Sequence, residues 1–421
     1  MPLVAPVMTV TLPSRRPVMM CPFIDRGPQR GLNPRHMTDP ISLAQELIRC
    51  PSVTPADAGA IGVLERALSP LGFSCRRLRF EAPGTAPIDN LYARVGHGAP
   101  HFCFAGHTDV VPPGETSLWR HDPFAALIDG DMLYGRGAAD MKSAVAAFVA
   151  AAERSVTKGF AGSISLLITG DEEGPAVNGT AAVLGWMKEQ GERIDHCIVG
   201  EPTATARAGD TIKIGRRGSM RVDLEVEGVQ GHTAYPQRAT NPIPILATIV
   251  SRLAATPIDQ GTEHFEPTTL AFTTFDVGNP AGNVSPALAR ASGNLRFNDL
   301  QTPDTLLARM RAVAESTARD MGGNARIAHH VGALPFLTAP GAFTDLLAQA
   351  IASVNRAAPE LSTGGGTSDA RFIKDHCPVA EVGLPGTTMH KIDECAPVGE
   401  IRRLTDIYAA ILERYFAAPP A

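Results

Sequence analysis

The chain has 421 residues, of which 44% are hydrophobic and 19% charged, and its formal net charge at pH 7 is −5. This length predicts two or three domains, and the composition excludes a disordered or fibrous protein. Because basic residues are not in excess, a nucleic-acid partner is disfavoured and a small-molecule partner is expected.

The cysteines and the first residues bear on the compartment. Seven widely spaced cysteines without a C-x-x-C pair argue against a disulfide framework and a thiolate zinc site. No apolar run approaches the roughly 20 residues of a membrane helix, so we predict a cytoplasmic protein with no membrane partner. Residues 1–37 are rich in Pro and Arg and lack periodicity, which predicts a disordered extension, with Met37 as a more natural start of translation.

The first part of the chain alternates short β-rich runs with helical ones, a pattern typical of α/β architecture. The pattern predicts strands at 90–95, 102–105, 164–169 and 196–199, and helices at 144–154 and 179–190. In an open α/β sheet, reactive groups collect just beyond the carboxyl ends of the strands.

The pattern changes near Gly218, where apolar and polar residues begin to alternate as in a half-exposed strand. Strands are predicted at 220–227, 269–275, 288–297 and 325–331, and helices at 244–254 and 303–321. This β-α-β-β-α-β order is a split βαβ arrangement. A helix at 342–355 and a strand at 379–382 then resume the earlier pattern.

We therefore predict an α/β fold in which a catalytic domain with a central mixed sheet is interrupted by an inserted α+β domain. The catalytic domain comprises residues 38–216 and 333–421. The inserted domain comprises residues 217–332.

Two potential metal ligands lie next to predicted elements: His107 after a strand and Asp140 before a helix. His107 comes just after the strand at 102–105, and Asp109 could accept a hydrogen bond from its second ring nitrogen. A structural polar pair is the alternative for these two residues. Asp140 precedes the helix at 144–154, where a helix cap is the alternative.

Acidic and imidazole side chains follow three further strands. Glu172 and Glu173 belong to a run of three acids after the strand at 164–169, for which a solvated surface loop is the alternative. Glu201 follows the strand at 196–199, and His390 follows the last predicted strand.

Taken together, these ligand types indicate a hydrolytic metal centre rather than a structural one. Imidazole and carboxylate ligands without thiolates are typical of catalytic zinc, which usually takes three protein ligands. Five ligands therefore predict two metal ions that share a bridging carboxylate, and they leave one glutamate free to act as a general base.

The sequence resembles the dinuclear-zinc metallopeptidase family that includes aminoacylases, acetylornithine deacetylase and glutamate carboxypeptidases. The resemblance extends from about Thr38 to the C-terminus. Its motifs are GHTDVVPPG (106–114), YGRGAADMK (134–142), GDEEGPAVNGT (170–180), GEP (200–202), GRRGS (215–219), GHTAYP (231–236) and MHKIDECAPV (389–398).

The resemblance implies a metal-dependent amide hydrolase of amino-acid biosynthesis with two Zn²⁺ per subunit, for which Co²⁺ can substitute. Asp140 would be the bridging carboxylate. His107 and Glu201 would complete one metal site, and Glu173 and His390 the other.

The resemblance also implies roles for residues that bind no metal. Glu172 would be the general base, Asp109 the partner of His107, and the peptide after Asp140 would be cis. In the inserted domain, His232 would stabilise the oxyanion in the active site of a partner subunit, and Asn283 would also reach across. A homodimer formed through the inserted domain is therefore expected.

The substrate implied by the resemblance is a small dicarboxylic amino-acid derivative, which needs cationic and hydroxyl donors. The matching positions are Arg216, Ser219, Tyr235, Asn283, Arg296, Gly366 and Thr367. Any of these arginines could instead form a surface ion pair. Another deacylase or exopeptidase of the family remains an alternative, and a catalytically silent metal-bound protein is a more distant one.

Overall fold

The computed structural model describes residues 37–420, so the expectations for the segment before Met37 lie outside it. The helices within these residues are α1 (Pro40–Ile48), α2 (Ala60–Leu68), α3 (Lys142–Lys158), α4 (Thr180–Glu189), α5 (Pro242–Ala255), α6 (Pro303–Asp320), α7 (Ala342–Asn355), α8 (Ala370–Ile373) and α9 (Val398–Ala417).

The strands belong to two main sheets and three smaller ones. They are β1 (Ser74–Phe80), β2 (Ile88–Gly96), β3 (His101–His107), β4 (Ile128–Asp129), β5 (Met132–Tyr134), β6 (Ser163–Thr169), β7 (His196–Val199), β8 (Thr211–Lys213), β9 (Gly215–Arg216), β10 (Gly218–Glu227), β11 (Gly231–His232), β12 (Thr269–Asp276), β13 (Val284–Ser285), β14 (Leu288–Phe297), β15 (Asn324–Ala333), β16 (Phe336–Leu337), β17 (Glu360–Ser362), β18 (Val379–Glu381) and β19 (Cys395–Pro397).

The larger sheet is mixed and has eight strands in the order β1-β2-β6-β3-β7-β18-β8-β17. Its central strands β6, β3, β7 and β18 run parallel, whereas β1, β2 and β6 pair antiparallel. Because parallel strands end at the same edge of a sheet, the segments that follow β3, β6 and β7 meet there.

Both faces of this sheet are covered by helices, which explains why its central strands are apolar throughout. Phe102 and Phe104 of β3 pack with α1, α3 and α9 on one face. Cys103 and Ala105, which point the other way, pack with α4 and α8. Helix α3 is buried along its first twelve residues, so its apolar residues extend around the whole helix rather than along one stripe.

The second main sheet has four antiparallel strands in the order β12-β14-β10-β15. The residues Met220, Val222, Leu224 and Val226 of β10 pack against α5 and α6, and the alternate residues form the polar face. The element order β10-α5-β12-β14-α6-β15 is the one predicted from the sequence. The domain boundaries at 217 and 332 remain predictions.

Two further observations concern the helices and the cysteines of the described residues. Among the helices described, none combines the length and the apolar character that crossing a membrane requires. The six cysteines within residues 37–420 form no disulfide with one another.

Candidate active site

The predicted metal ligands come from the strand ends and from two loops. His107 is the last residue of β3, Glu173 lies four residues after the end of β6, and Glu201 lies two residues after the end of β7. Asp140 lies two residues before α3, and His390 belongs to the loop between β18 and β19. Tertiary folding brings all five side chains to one place.

The carboxylate of Asp140 lies between the two histidine rings. Its Oδ1 is 3.2 Å from His107 Nε2, and its Oδ2 is 3.3 Å from His390 Nε2. His390 Nε2 is also 2.8 Å from Glu173 Oε1, and His107 Nε2 is 3.9 Å from Glu201 Oε1. Each Asp140 oxygen therefore faces a different histidine, as a bridging carboxylate requires.

Two groups of three side chains are close enough to hold a metal ion. One group is His107, Asp140 and Glu173, and the other is His107, Glu172 and Glu201. Within each group the potential ligand atoms lie within 4.8 Å of one another. In the second group Glu172 stands among the potential ligands themselves, and His390 belongs to neither group.

The helix-cap alternative for Asp140 is wrong. Helix α3 begins after Met141, and no side-chain hydrogen bond caps its first turn. The Asp140 carboxylate faces His107 and His390 instead. The peptide bond between Asp140 and Met141 is cis, as the resemblance implies.

Burial is the main influence on the acids of the cluster, and repulsion between neighbouring carboxylates adds to it. Burial raises the pKa of Glu201 well above its usual range, and the nearby carboxylates of Asp140 and Glu172 raise it further. Burial likewise raises the pKa of Glu172, and the charges of Asp369 and Glu173 add to the effect.

The cluster fits a divalent cation. Glu201 Oε1 is buried and has no hydrogen-bond partner among residues 37–420, although an unpaired buried carboxylate oxygen is costly. The other donors are imidazole nitrogens and carboxylate oxygens, the set that hydrolytic metal sites use. A bound cation would pair with Glu201 and relieve the repulsion among the acids.

The histidines respond to the same acids. Burial of His107 opposes its charged form, but the hydrogen bond to Asp140 and the charge of Asp109 outweigh burial and raise the pKa of His107. Hydrogen bonds to Asp140 and Glu173 raise the pKa of His390 to about 10. The neighbouring acids thus favour the protonated, charged form of both imidazole rings.

Asp109 is placed differently from the expectation. His107 Nδ1 hydrogen-bonds the backbone carbonyl oxygen of Asp109 at 2.9 Å, and the Asp109 carboxylate is 3.6 Å away. That carboxylate accepts hydrogen bonds from the backbone N–H groups of Glu172 and Glu173 and from the Thr54 hydroxyl. Asp109 therefore orients the ring through its backbone and holds the acidic loop through its side chain.

The predicted substrate-binding residues divide into two clusters. In the first, Arg216 is buried and its guanidinium forms a two-pronged ion pair with Glu381. Arg216 Nη1 also donates to the carbonyl oxygen of Gly364 at 3.2 Å. Arg216 thus has a protein partner already and supports the loop that contains Gly366.

Arg296 is more available than Arg216 for binding an anionic group. Its Nη1 donates to the Thr367 hydroxyl at 3.1 Å, and β14 places it opposite Ser219 on β10. No heavy atom lies within 4 Å of the position that a Cβ of Gly366 would occupy, so space is open beside that backbone. These residues line a polar junction between the two main sheets.

The second cluster lies on and beside the paired strands β11 and β13. His232 is exposed, its Nδ1 accepts a hydrogen bond from the N–H of Ala234, and its ring lies 5.9 Å from that of Tyr235. The carbonyl oxygen of Asn283 accepts from the N–H of Thr233. Within the described part of one chain, no hydrogen bond or ion pair joins His232, Tyr235 or Asn283 to the metal-ligand cluster.

Sequence reasoning missed three buried acids near the cluster. Glu394 and Glu381 accept hydrogen bonds from the loops that contain Asp140 and Gly366. Asp369 is 4% exposed, and burial raises its pKa to about 6. Glu394 lies within the motif MHKIDECAPV (389–398), but nothing in the residue pattern indicates which backbone groups it contacts.

The model of peptidase family M20/M25/M40 matches residues 103–414, about three quarters of the chain. The chain belongs to this family. Curated relatives match a longer part of the chain than the family model does. A succinyl-diaminopimelate desuccinylase of Parvibaculum lavamentivorans is 57% identical over 385 residues, covering 91% of this chain and 98% of the relative.

Another relative of the same name, from Rhodospirillum centenum, is 57% identical over 381 residues, with 90% of this chain and 98% of the relative covered. Two solved structures share the fold at low identity. The aminopeptidase PepT from Bacillus cereus has a TM-score of 0.73 at 20% identity, covering 90% of this chain and 99% of that one. A dinuclear metal-binding peptidase of the M20 family from Bacillus subtilis has a TM-score of 0.67 at 17% identity, covering 90% and 98%.

Proposed function

We propose that this chain is a metal-dependent amide hydrolase that converts N-succinyl-LL-2,6-diaminopimelate and water to succinate and LL-2,6-diaminopimelate. The observation that carries the proposal is the 57% identity, over nine tenths of the chain, to relatives named succinyl-diaminopimelate desuccinylase. The buried cluster of histidines and acids supports it, because such side chains can hold the metal ions that activate water for amide hydrolysis. The reaction is a step of lysine and diaminopimelate biosynthesis.

We propose that the cluster holds two Zn²⁺ ions and that Co²⁺ can replace them. Asp140 would bridge the ions, with His107 and Glu201 on one side and Glu173 and His390 on the other. When bound, two such ions polarise the substrate carbonyl and lower the pKa of a water molecule between them. The 3.2 Å and 3.3 Å distances from Asp140 to the two imidazoles support the bridging role.

The chain's own residues would move the proton. Glu172 accepts the proton of the attacking water and returns it to the leaving amine. Such general acid–base catalysis typically increases turnover by about 10²–10⁴-fold. Its carboxylate lies within 4.8 Å of potential ligand atoms of His107 and Glu201, which supports this role because a general base must lie close to the proton that it accepts. Asp109 holds the backbone N–H of Glu172, and thereby aims the carboxylate.

The carboxylates of the substrate require fixed cations and donors. We propose that they bind to the residues Arg216, Ser219, Tyr235, Asn283, Arg296, Gly366 and Thr367. Arg296 and Thr367 are the strongest of these candidates, because they already contact each other beside open space at Gly366. Arg216 acts mainly by supporting the loop at Gly364, since Glu381 neutralises its charge.

We also propose a homodimer formed through residues 217–332, in the cytoplasm. His232 and Asn283 are both exposed, and within the described part of one chain no hydrogen bond joins them to the ligand cluster. In a dimer, His232 of the partner subunit would complete the site by donating a hydrogen bond to the developing oxyanion. Unbridged cysteines are typical of a reducing compartment.

Within the family, the GRRGS segment and the pair His390 and Lys391 favour the desuccinylase over related deacylases. The test is the turnover of succinyl-diaminopimelate and acetylornithine by purified protein, with Glu172→Gln as the matched inactive control. We expect turnover of the succinylated substrate alone. Turnover of acetylornithine alone would make the protein a different deacylase, and no turnover of either by metal-loaded protein would contradict the proposal.

A further inference from the structure

Glu394 is a completely buried acid whose carboxylate accepts four hydrogen bonds. Its Oε1 accepts from the backbone N–H groups of Gly137, Ala139 and Asp140, at 3.1, 2.9 and 3.1 Å. Its Oε2 accepts from Arg136 Nη1 at 2.6 Å. All four donors belong to the loop that leads into α3 and contains Asp140.

The same residue joins this loop to the loop that contains His390. Glu394 lies four residues after His390, and its backbone carbonyl oxygen accepts from the N–H of Gly135 at 2.9 Å. Arg136 extends the connection, since its Nη2 lies 3.4 Å from the carbonyl oxygen of Pro112, in the segment that follows His107. Glu394 therefore contacts one ligand-bearing loop, belongs to a second and is tied to a third through Arg136.

The geometry of the Asp140 loop depends on this carboxylate. Three N–H groups that converge on one oxygen form an anion-binding concavity of the backbone, which is not part of a helix or sheet ladder. If the carboxylate were removed, these buried donors would lose their acceptor. The loop also requires Gly137, whose φ is +88° and whose Cβ would lie 2.9 Å from side-chain atoms of Lys142 and Val110.

We infer that Glu394 is a positioning residue of the metal centre, which fixes the backbone of Asp140 relative to His390 so that both oxygens of Asp140 face their metal sites. This inference rests on the proposed metal centre. Residues that orient metal ligands from outside the coordination sphere change metal affinity or activity by about 10–100-fold when they are substituted. Glu394 would do so through the backbone, because its carboxylate contacts the Arg136 side chain and backbone N–H groups of the Asp140 loop.

The test uses full-length protein and Co²⁺ alone, and measures its affinity by competition with a chelator and its visible absorption spectrum. Glu394→Gln retains an acceptor oxygen but loses the charge opposite Arg136, so we expect roughly 10-fold weaker binding. Glu394→Asp retains the charge on a shorter side chain. Glu394→Ala removes every contact, and we expect roughly 100-fold weaker binding with an altered spectrum.

Glu153→Gln is the matched control. Glu153 is a buried acid on α3, it accepts a hydrogen bond from the N–H of Thr38, and it lies outside the cluster. A general effect of replacing a buried acid would lower the unfolding temperature of both Glu153→Gln and Glu394→Gln. Only the positioning role lowers the Co²⁺ affinity of folded protein and changes its spectrum.

Wild-type affinity and spectrum in folded Glu394→Ala would overturn the inference. If that variant does not fold, Glu394→Gln and Glu394→Asp decide the question by the same two measurements. Absence of Co²⁺ binding by the unmodified chain is a separate outcome, which would overturn the proposed metal centre and the inference with it.

Discussion

The carboxylate of Asp109 accepts a hydrogen bond from the backbone N–H of Glu173 at 3.0 Å, and so joins the segment after β3 to the segment after β6. We expect Asp109→Ala to lower turnover by about 10², because small displacements of catalytic groups have effects of this size. It should also lower the free energy of unfolding by about 1–3 kcal/mol, since buried N–H donors lose their acceptor. Steady-state kinetics and urea unfolding measure both effects. A variant that keeps wild-type turnover would contradict the positioning role.

Substitutions of the adjacent acids Glu172 and Glu173 should have different effects on metal content and on turnover. Glu172→Gln should retain both metal ions and lose about 10²–10⁴ in turnover, because it removes the base alone. Glu173→Gln should bind less metal, because Glu173 lies 2.8 Å from His390 within the cluster. Elemental analysis beside kinetics distinguishes the two. Reversed metal contents would exchange the two assignments.

Removal of metal should destabilise the protein as well as inactivate it. Without cations the buried carboxylates of Asp140, Glu172 and Glu201 repel one another. A ligand at about 1,000 times its Kd stabilises the folded state by about 4 kcal/mol. We expect a chelator to lower the unfolding temperature and added Zn²⁺ to restore both the temperature and turnover. An unchanged unfolding temperature in metal-free protein would argue that the cluster holds no ion.

The ion pair of Arg216 and Glu381 is buried, and breaking it should be costly. Glu381→Gln leaves the guanidinium unpaired, for which a loss of about 3–5 kcal/mol in the free energy of unfolding is expected. Adding Arg216→Met should recover part of this loss, because the pair is then removed together. Chemical denaturation of the two single variants and the double variant measures the coupling. Strictly additive losses would show that the pair is not coupled.

His101 should contribute to acid sensitivity, far from the active site. Burial lowers the pKa of His101 from its usual value of 6.5 to about 4, and the charge of Arg94 adds to this. The ring contacts the carbonyl oxygen of Arg193 and the Ser165 hydroxyl, which suits a neutral tautomer. Between pH 6.5 and 4 the unfolded chain binds a proton that the folded chain does not, so stability is lost as the pH falls.

The titration of His101 should lower the free energy of unfolding by about 3 kcal/mol between pH 6.5 and 4. His101→Gln removes the titration, so the free energy of unfolding should depend less on pH between 6.5 and 4 in the variant than in the unmodified chain. Urea unfolding at several pH values measures the difference. Equal slopes in the two proteins would contradict a neutral buried His101.

The sequence predicted most of the fold because each element depends on local pattern. The strands His196–Val199 and Leu288–Phe297 and the helix Ala342–Asn355 have the predicted bounds, and the other predicted elements differ by a few residues at their ends. Helices α2 and α9 and strand β1 were not predicted. It also predicted which residues lie at strand ends, since strand ends follow from the same pattern. The assignment of zinc, the dimer and the substrate-binding residues depended on family resemblance.

The contacts of the missed acids could not be predicted in this way. Arg136 and Glu394 are separated by 258 residues, and Arg216 and Glu381 by 165, so no local pattern relates them. The contact between the Asp109 carboxylate and the N–H of Glu173 likewise depends on how the segment after β6 folds back toward the end of β3. A carboxylate in a sequence can cap a helix, pair with a cation or hold a backbone loop, and only its surroundings select among these.

The sequence by itself determined the α/β architecture, the order of the inserted elements and the set of imidazole and carboxylate side chains, because these follow from periodicity and residue type. Only the tertiary structure decided that Asp140 faces two histidines and that Asp109 and Glu394 hold the loops around it. Such relationships depend on distances of a few ångströms between segments far apart in the chain, and packing of the whole sheet sets those distances.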